Sequence, residues 1–106
     1  MKRSISRPFS VLMIIDHEFM RKTLGQWLFG QLTGLTIIEA GCGEDALDIL
    51  RTKSPDLILM DIFLPDVSAV KILRQIKTLY PDTPVIFLTT HEDGVYQSLA
   101  ENAGAD

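Results

Sequence analysis

Two aspartates and a threonine stand where apolar runs give way to polar chain. Asp16 follows the run 9–15, Asp61 follows 57–60, and Thr89-Thr90 follow 85–88. If the runs are parallel strands of one sheet, these ends share a rim, and open α/β sheets bind their ligands at that rim. Two carboxylates and a hydroxyl offer oxygen atoms only. Such donors suit Mg²⁺, which keeps several waters and takes one or two carboxylates plus phosphate. An ionised aspartate can also attack phosphorus and become an aspartyl phosphate. Acids at strand ends serve as turn and cap residues too, so the assignment rests on all three positions together. Glu39-Ala40, closing the run 35–40, is a weaker candidate.

The elements that must position these residues are legible in the pattern. The runs 9–15, 35–40, 57–60 and 85–88 are rich in Ile, Leu, Val, Met or Phe and lack period-2 alternation. Strands covered on both faces read this way. Between and after them lie stripes at helical spacing: Met20, Leu24, Trp27 and Leu28; Ala46, Leu47 and Leu50; Ala69, Ile72, Leu73 and Ile76; Val95, Leu99 and Ala103. Gly34 reads as the end of the first helix. Gly41 and Gly43 turn the chain into the second helix, and Pro55, Pro65, Pro81 and Pro84 punctuate the rest. Strands alternating with helices predict a doubly wound parallel sheet with right-handed crossovers and helices on both faces.

Composition narrows the function. The chain has 106 residues, 46% hydrophobic and 23% charged, with a net charge of −4. One domain is expected over 1–106. The acidic balance argues against direct nucleic-acid binding by this segment. A single cysteine, Cys42, excludes an internal disulfide and a cysteine-based zinc site, and fits a cytoplasmic setting. The first apolar run is too short for a signal peptide core with its flanks, and no run approaches a membrane span.

From residue 9 onward the chain resembles receiver domains of two-component response regulators. The resemblance is carried by Val11-Leu12-Met13-Ile14-Ile15-Asp16-His17, by Pro55-Asp56-Leu57-Ile58-Leu59-Met60-Asp61-Ile62-Phe63-Leu64-Pro65, by Thr83-Pro84-Val85-Ile86-Phe87-Leu88-Thr89-Thr90, and by Asn102-Ala103-Gly104-Ala105. The resemblance implies a flavodoxin-like α/β fold of strand order 2-1-3-4, with a fifth strand and helix missing from this chain. It implies a phosphoacceptor, Asp61, that receives its phosphoryl group from a sensor histidine kinase. Asp16, Asp61 and the backbone carbonyl of Phe63 would hold Mg²⁺, and Thr89 would be the switch hydroxyl. The domain would be a signalling switch rather than an enzyme, with at most slow self-dephosphorylation. Asp16-His17 followed by Arg21 resembles regulators whose C-terminal output domain binds DNA through a helix-turn-helix.

The chain departs from the family pattern in four places. Ile15 stands where the first of two adjacent acids is usual, which predicts weak Mg²⁺ binding. Glu18 is a candidate to replace the lost charge, or a first-turn acid favoured by the helix dipole. Ser68-Ala69 replaces the usual Asp-Gly. The lysine and the aromatic residue associated with a fifth strand are expected beyond Asp106. An uncovered fourth strand would favour edge pairing, so a homodimer is a further expectation. A degenerate receiver that acts as an interaction module without phosphorylation is the alternative function. A more distant alternative is a dinucleotide site, because Gly41-Cys42-Gly43-Glu44-Asp45-Ala46 fits G-x-G-x-x-G/A after a strand. Glu44 and Asp45 would oppose a pyrophosphate there. His17 and His91 read as polar loop residues, Trp27 and Phe29 as core and edge packing, and Cys42 as an inert turn residue.

Overall fold

A computed structural model describes residues 3–62, 64–66 and 68–88, with the backbone alone for 3–7. The order is β1 (Arg3–Ile14), α1 (Glu18–Gln31), β2 (Leu32–Ala40), α2 (Gly43–Leu50), β3 (Leu57–Asp61), α3 (Ala69–Leu79) and β4 (Val85–Leu88). The described strands form one sheet in the order β2-β1-β3-β4, and every pairing is parallel. The expected α/β sheet and its 2-1-3-4 order are therefore present. The stripe at Val95, Leu99 and Ala103 lies outside the described residues.

Alternation along β1 divides the core between the two faces of the sheet. Val11, Met13 and Ile15 pack with Leu35 and Leu59, and Leu24 and Leu28 of α1 close over them. Leu12 and Ile14 point the other way, into a larger cluster with Ile58, Met60 and Val85. That face is covered by Ala46 and Leu50 of α2 and by Ala69, Ile72, Leu73 and Ile76 of α3. Burial on both faces explains why β1 and β3 read as unbroken apolar runs.

Local ties set the ends of these elements. His17 caps α1, its Nδ1 accepting from the Met20 N–H at 3.2 Å. Asp56 holds the entry to β3 against β1, accepting from the Ser10 N–H at 2.8 Å, while its own N–H donates to the Ser10 carbonyl at 2.9 Å. Lys77 at the end of α3 donates to the Thr83 carbonyl at 2.9 Å, and the Tyr80 hydroxyl donates to the Leu50 carbonyl.

Three features of the structure differ from what the sequence pattern predicts. Gly34 does not end the first helix. α1 stops at Gln31, and Gly34 lies inside β2 with φ 88°. Its left-handed backbone falls where the β1–β2 register shifts, between the Ser4–Thr33 and Phe9–Leu35 pairs, a strand irregularity that glycine suits as well as a helix end. β1 also begins earlier than expected, at Arg3. Finally, Met20 and Trp27 are not core residues: they are 42% and 59% exposed, and Phe29 is exposed as well. The buried face of α1 is set by Leu24, Gly25 and Leu28. A Cβ on Gly25 would stand 3.7 Å from both Ile37 Cγ2 and Met13 Sδ, so the glycine marks the close approach of helix to sheet.

Candidate functional site

The register of the central strands decides where the two acids lie. Ile14 of β1 pairs with Met60 of β3. Asp61 is the next residue on β3, and Asp16 stands two beyond Ile14 on the neighbouring chain segment. Both leave the sheet at its C-terminal end. Asp16 is exposed and Asp61 is half-buried at the last position of β3. Asp61 also pairs with Leu88, the last residue of β4, whose carbonyl accepts from the Ile62 N–H at 3.4 Å. Thr89 follows Leu88 in the chain, but Thr89, Phe63 and His91 lie outside the described residues.

The donor chemistry of this rim fits Mg²⁺: two aspartates on adjacent strand ends are hard oxygen ligands with water access on one side. Among the described residues no group of three or more His, Cys, Asp or Glu is gathered as a metal cluster. Glu18 sits in the first turn of α1. Ile15 is fully buried among Val11, Met13, Leu35 and Leu59, so it supplies packing at a position where charge was expected.

A cation that the sequence reading gave no role is built into the end of β1. The Arg21 guanidinium donates through Nη1 to the Ile15 carbonyl at 2.8 Å and to the Asp16 carbonyl at 3.4 Å. Its Nε donates to Glu39 Oε1 at 3.0 Å, and Lys22 Nζ reaches Glu39 Oε2 at 2.9 Å. Lys22 first, and Arg21 with it, hold the Glu39 carboxyl below its ordinary range against the opposing effect of burial. Glu39, the weaker strand-end candidate, is therefore committed to two cations of α1.

A second unforeseen acid, Asp66, lies in the loop after β3. Its Oδ1 accepts from the Gly43 N–H and its Oδ2 from the Glu44 N–H, each at 3.0 Å. These bonds, the one from Glu44 foremost, keep its carboxyl below the usual carboxylate range. They also remove the dinucleotide alternative. The amides at the start of α2 that would receive a pyrophosphate already serve a carboxylate of the same chain. Neither contact has a local sequence signal, since the partners are 22 and 23 residues apart. Cys42 is half-buried. A backbone hydrogen bond at Asp45 favours its thiolate, but burial and the carboxylates of Asp45 and Asp66 outweigh it and raise the thiol above its ordinary value. The upward shift favours the thiol over the nucleophilic thiolate.

A family model described as the response regulator receiver domain matches residues 11–106. The transcriptional activator protein ExaE of Pseudomonas putida is 34% identical over 95 residues, covering 90% of this chain and 44% of its own length. The response regulator UvrY of Escherichia coli is 32% identical over 97 residues, covering 91% and 44%. Regulatory protein LuxO of Vibrio vulnificus is 45% identical over 58 residues, covering 55% of this chain and 13% of its own length. The chain thus spans less than half the length of these curated relatives. Among solved structures, the chemotaxis response regulator CheY4 of Vibrio cholerae superposes with TM-score 0.83 at 22% identity, over 92% of this chain and 82% of that one.

Proposed function

Because this chain belongs to the response regulator receiver domain family across residues 11–106, we propose that it is a phosphorylation-dependent switch whose phosphoacceptor is Asp61. The observation that carries the reading is the placement of Asp61 at the end of the central strand β3, beside the β1 end that leads into Asp16. A carboxylate oxygen of Asp61 attacks the phosphorus of a phosphohistidine on a sensor kinase. The O–P bond forms as the P–N bond breaks, and the histidine nitrogen recovers a proton. Asp16, Asp61 and the Phe63 carbonyl would hold Mg²⁺, which when bound would offset the charge of the acids and the incoming phosphoryl oxygens. Thr89 would donate its hydroxyl to the transferred group, drawing the end of β4 toward Asp61.

The domain then acts as a receiver without turnover of its own beyond slow loss of the phosphoryl group. The wider protein would work in the cytoplasm with a sensor histidine kinase and a DNA-binding output domain, a reading supported by relatives named as a transcriptional activator and a response regulator. No helix among the described residues is long and apolar enough to cross a membrane.

Incubation with Mg²⁺ and a small phosphodonor such as acetyl phosphate tests the assignment. Mass spectrometry should show one added phosphoryl group in the wild type and none in Asp61→Asn. A wild type that gains no phosphoryl group from either acetyl phosphate or a histidine kinase would favour a second reading. In that reading the domain is an interaction module that works unphosphorylated. Ile15, buried in the apolar core where an acid was expected, is the observation on its side.

A further inference from the structure

The first turn of a helix leaves its leading N–H groups without partners inside the helix. In α2 the residue before the helix, Cys42, makes no side-chain cap bond. The open amides of Gly43 and Glu44 are met instead by Asp66, which gives one carboxylate oxygen to each at 3.0 Å. Two charge-assisted bonds to one carboxylate fix its orientation as well as its position, and the positive end of the helix dipole favours it there.

The location of Asp66 gives this contact its meaning. It lies in the short loop that joins Asp61 to α3 and contains Phe63. The near end of the loop is fixed by the pairing of Asp61 with Leu88. The far end is fixed by Ala69, buried at the start of α3. Between those points, Asp66 ties the loop to the chain that leaves β2. In the sheet, β1 lies between β2 and β3. The Asp66 contact therefore joins the segments leaving the strands on either side of the one that leads to Asp16.

We propose that Asp66 is a positioning residue: by clasping the loop after Asp61 to the first turn of α2, it fixes where that loop meets a cation at the rim. This deepens, and rests on, the reading that Asp16, Asp61 and the Phe63 carbonyl hold Mg²⁺. Asp66 itself is solvent-exposed, so the clasp adds little to global stability. Its effect is on the placement of one short loop, as for other groups that orient the ligands of a metal without touching it.

The test compares four proteins: wild type, Asp66→Ala, Asp66→Asn and Glu44→Gln. Glu44 contributes only its backbone N–H to the clasp. Glu44→Gln thus removes one negative charge from the same turn and leaves the contact in place. Mg²⁺ is titrated at a temperature where all four are folded, with backbone amide NMR shifts as readout, and amide hydrogen exchange is followed at Gly43 and Glu44. Asp66→Ala should weaken Mg²⁺ binding by about tenfold and speed exchange at both amides. Asp66→Asn keeps one acceptor oxygen and should fall between Asp66→Ala and wild type. Glu44→Gln should bind Mg²⁺ as wild type does. Equal affinities in all four proteins overturn the inference, and so does an equal loss in Glu44→Gln and Asp66→Ala, which would make the effect one of charge. A wild type that binds no Mg²⁺ overturns the underlying reading of the rim and the inference with it, an outcome visible before any variant is made.

Discussion

Arg21 grips Glu39 through Nε at 3.0 Å while its Nη1 holds the Ile15 carbonyl at 2.8 Å, so one guanidinium joins α1, β2 and the end of β1. Its side chain is only 14% exposed. An arginine can serve this geometry because its donors lie in a rigid fork, which a lysine cannot reproduce. Arg21→Met should destabilise the domain by about 1–3 kcal/mol, since it strands a carbonyl and leaves Glu39 to Lys22 alone. Arg21→Lys should recover less than half of that loss. Urea melts of the three proteins measure both values, and full recovery by lysine would show that charge alone suffices.

The same pair carries a pH dependence. The Glu39 carboxyl lies below its ordinary value in the folded state, Lys22 being the largest cause and Arg21 adding to it. A carboxylate lowered by folding contributes stability above its unfolded pKa and loses that contribution as pH falls through its folded pKa. Glu39→Gln should therefore cost stability at neutral pH, and the gap to wild type should close as the solution is acidified below the ordinary carboxylate range. The gap should also narrow in high salt, because Lys22 and Glu39 are both partly exposed. A gap that stays constant from neutral to acid pH would mean that Glu39 acts through packing and not through its charge.

Which features were legible in the sequence follows from how far apart the interacting residues are. β1 and β3 were visible because burial on both faces makes a run apolar without needing any knowledge of its neighbours, and β4 was visible as a short apolar run although Ile86 is exposed. The stripe Ala69, Ile72, Leu73 and Ile76 was visible for a similar reason, since every member falls on one face of α3 and is buried. Asp16 and Asp61 stood out because each ends such a run. Arg21 and Asp66 did not, because their partners lie 18 residues away for Arg21–Glu39 and 22 to 23 away for Asp66. The first helix was misjudged because α1 carries apolar residues around much of its circumference. Periodicity could not choose between Trp27 and Gly25 for the buried face, and the close approach of α1 to Met13 and Ile37 settled it for the glycine.

That glycine offers a stabilising substitution. Gly25 is buried in the middle of α1, where glycine costs about 1 kcal/mol relative to alanine through backbone entropy. The added Cβ would meet Ile37 and Met13 at 3.7 Å, an ordinary van der Waals separation. Gly25→Ala should therefore raise stability by about 0.5–1 kcal/mol. Gly25→Leu has no such space and should lower it by overpacking. Thermal melts that show Gly25→Ala destabilised would mean that α1 sits closer to the sheet in solution than these distances allow.

Ile15 sets packing against charge at the rim. It is fully buried with Val11, Met13, Leu35 and Leu59, yet it immediately precedes Asp16 and stands level with Asp61 in the β1–β3 register. An acid at this position would add a negative charge beside the cation. At about 4 Å and an effective dielectric near 20, that is on the order of 4 kcal/mol for each unit of charge on the ion. Dehydration of the carboxylate offsets much of it, leaving roughly 1–3 kcal/mol, or about 5- to 150-fold in Mg²⁺ affinity. The same substitution removes an apolar side chain from the core and places a carboxylate against it, at a cost of about 2–5 kcal/mol in stability. Ile15→Asp should thus tighten Mg²⁺ binding and raise phosphorylation of Asp61 while lowering the urea midpoint. Ile15→Asn controls for the lost packing without the new charge, and it should share the instability but not the gain in affinity. Calorimetric titration of Mg²⁺ into the three folded proteins separates the effects. Equal affinities would show that the isoleucine does not limit cation binding, and the weakness expected from its position would have to be abandoned.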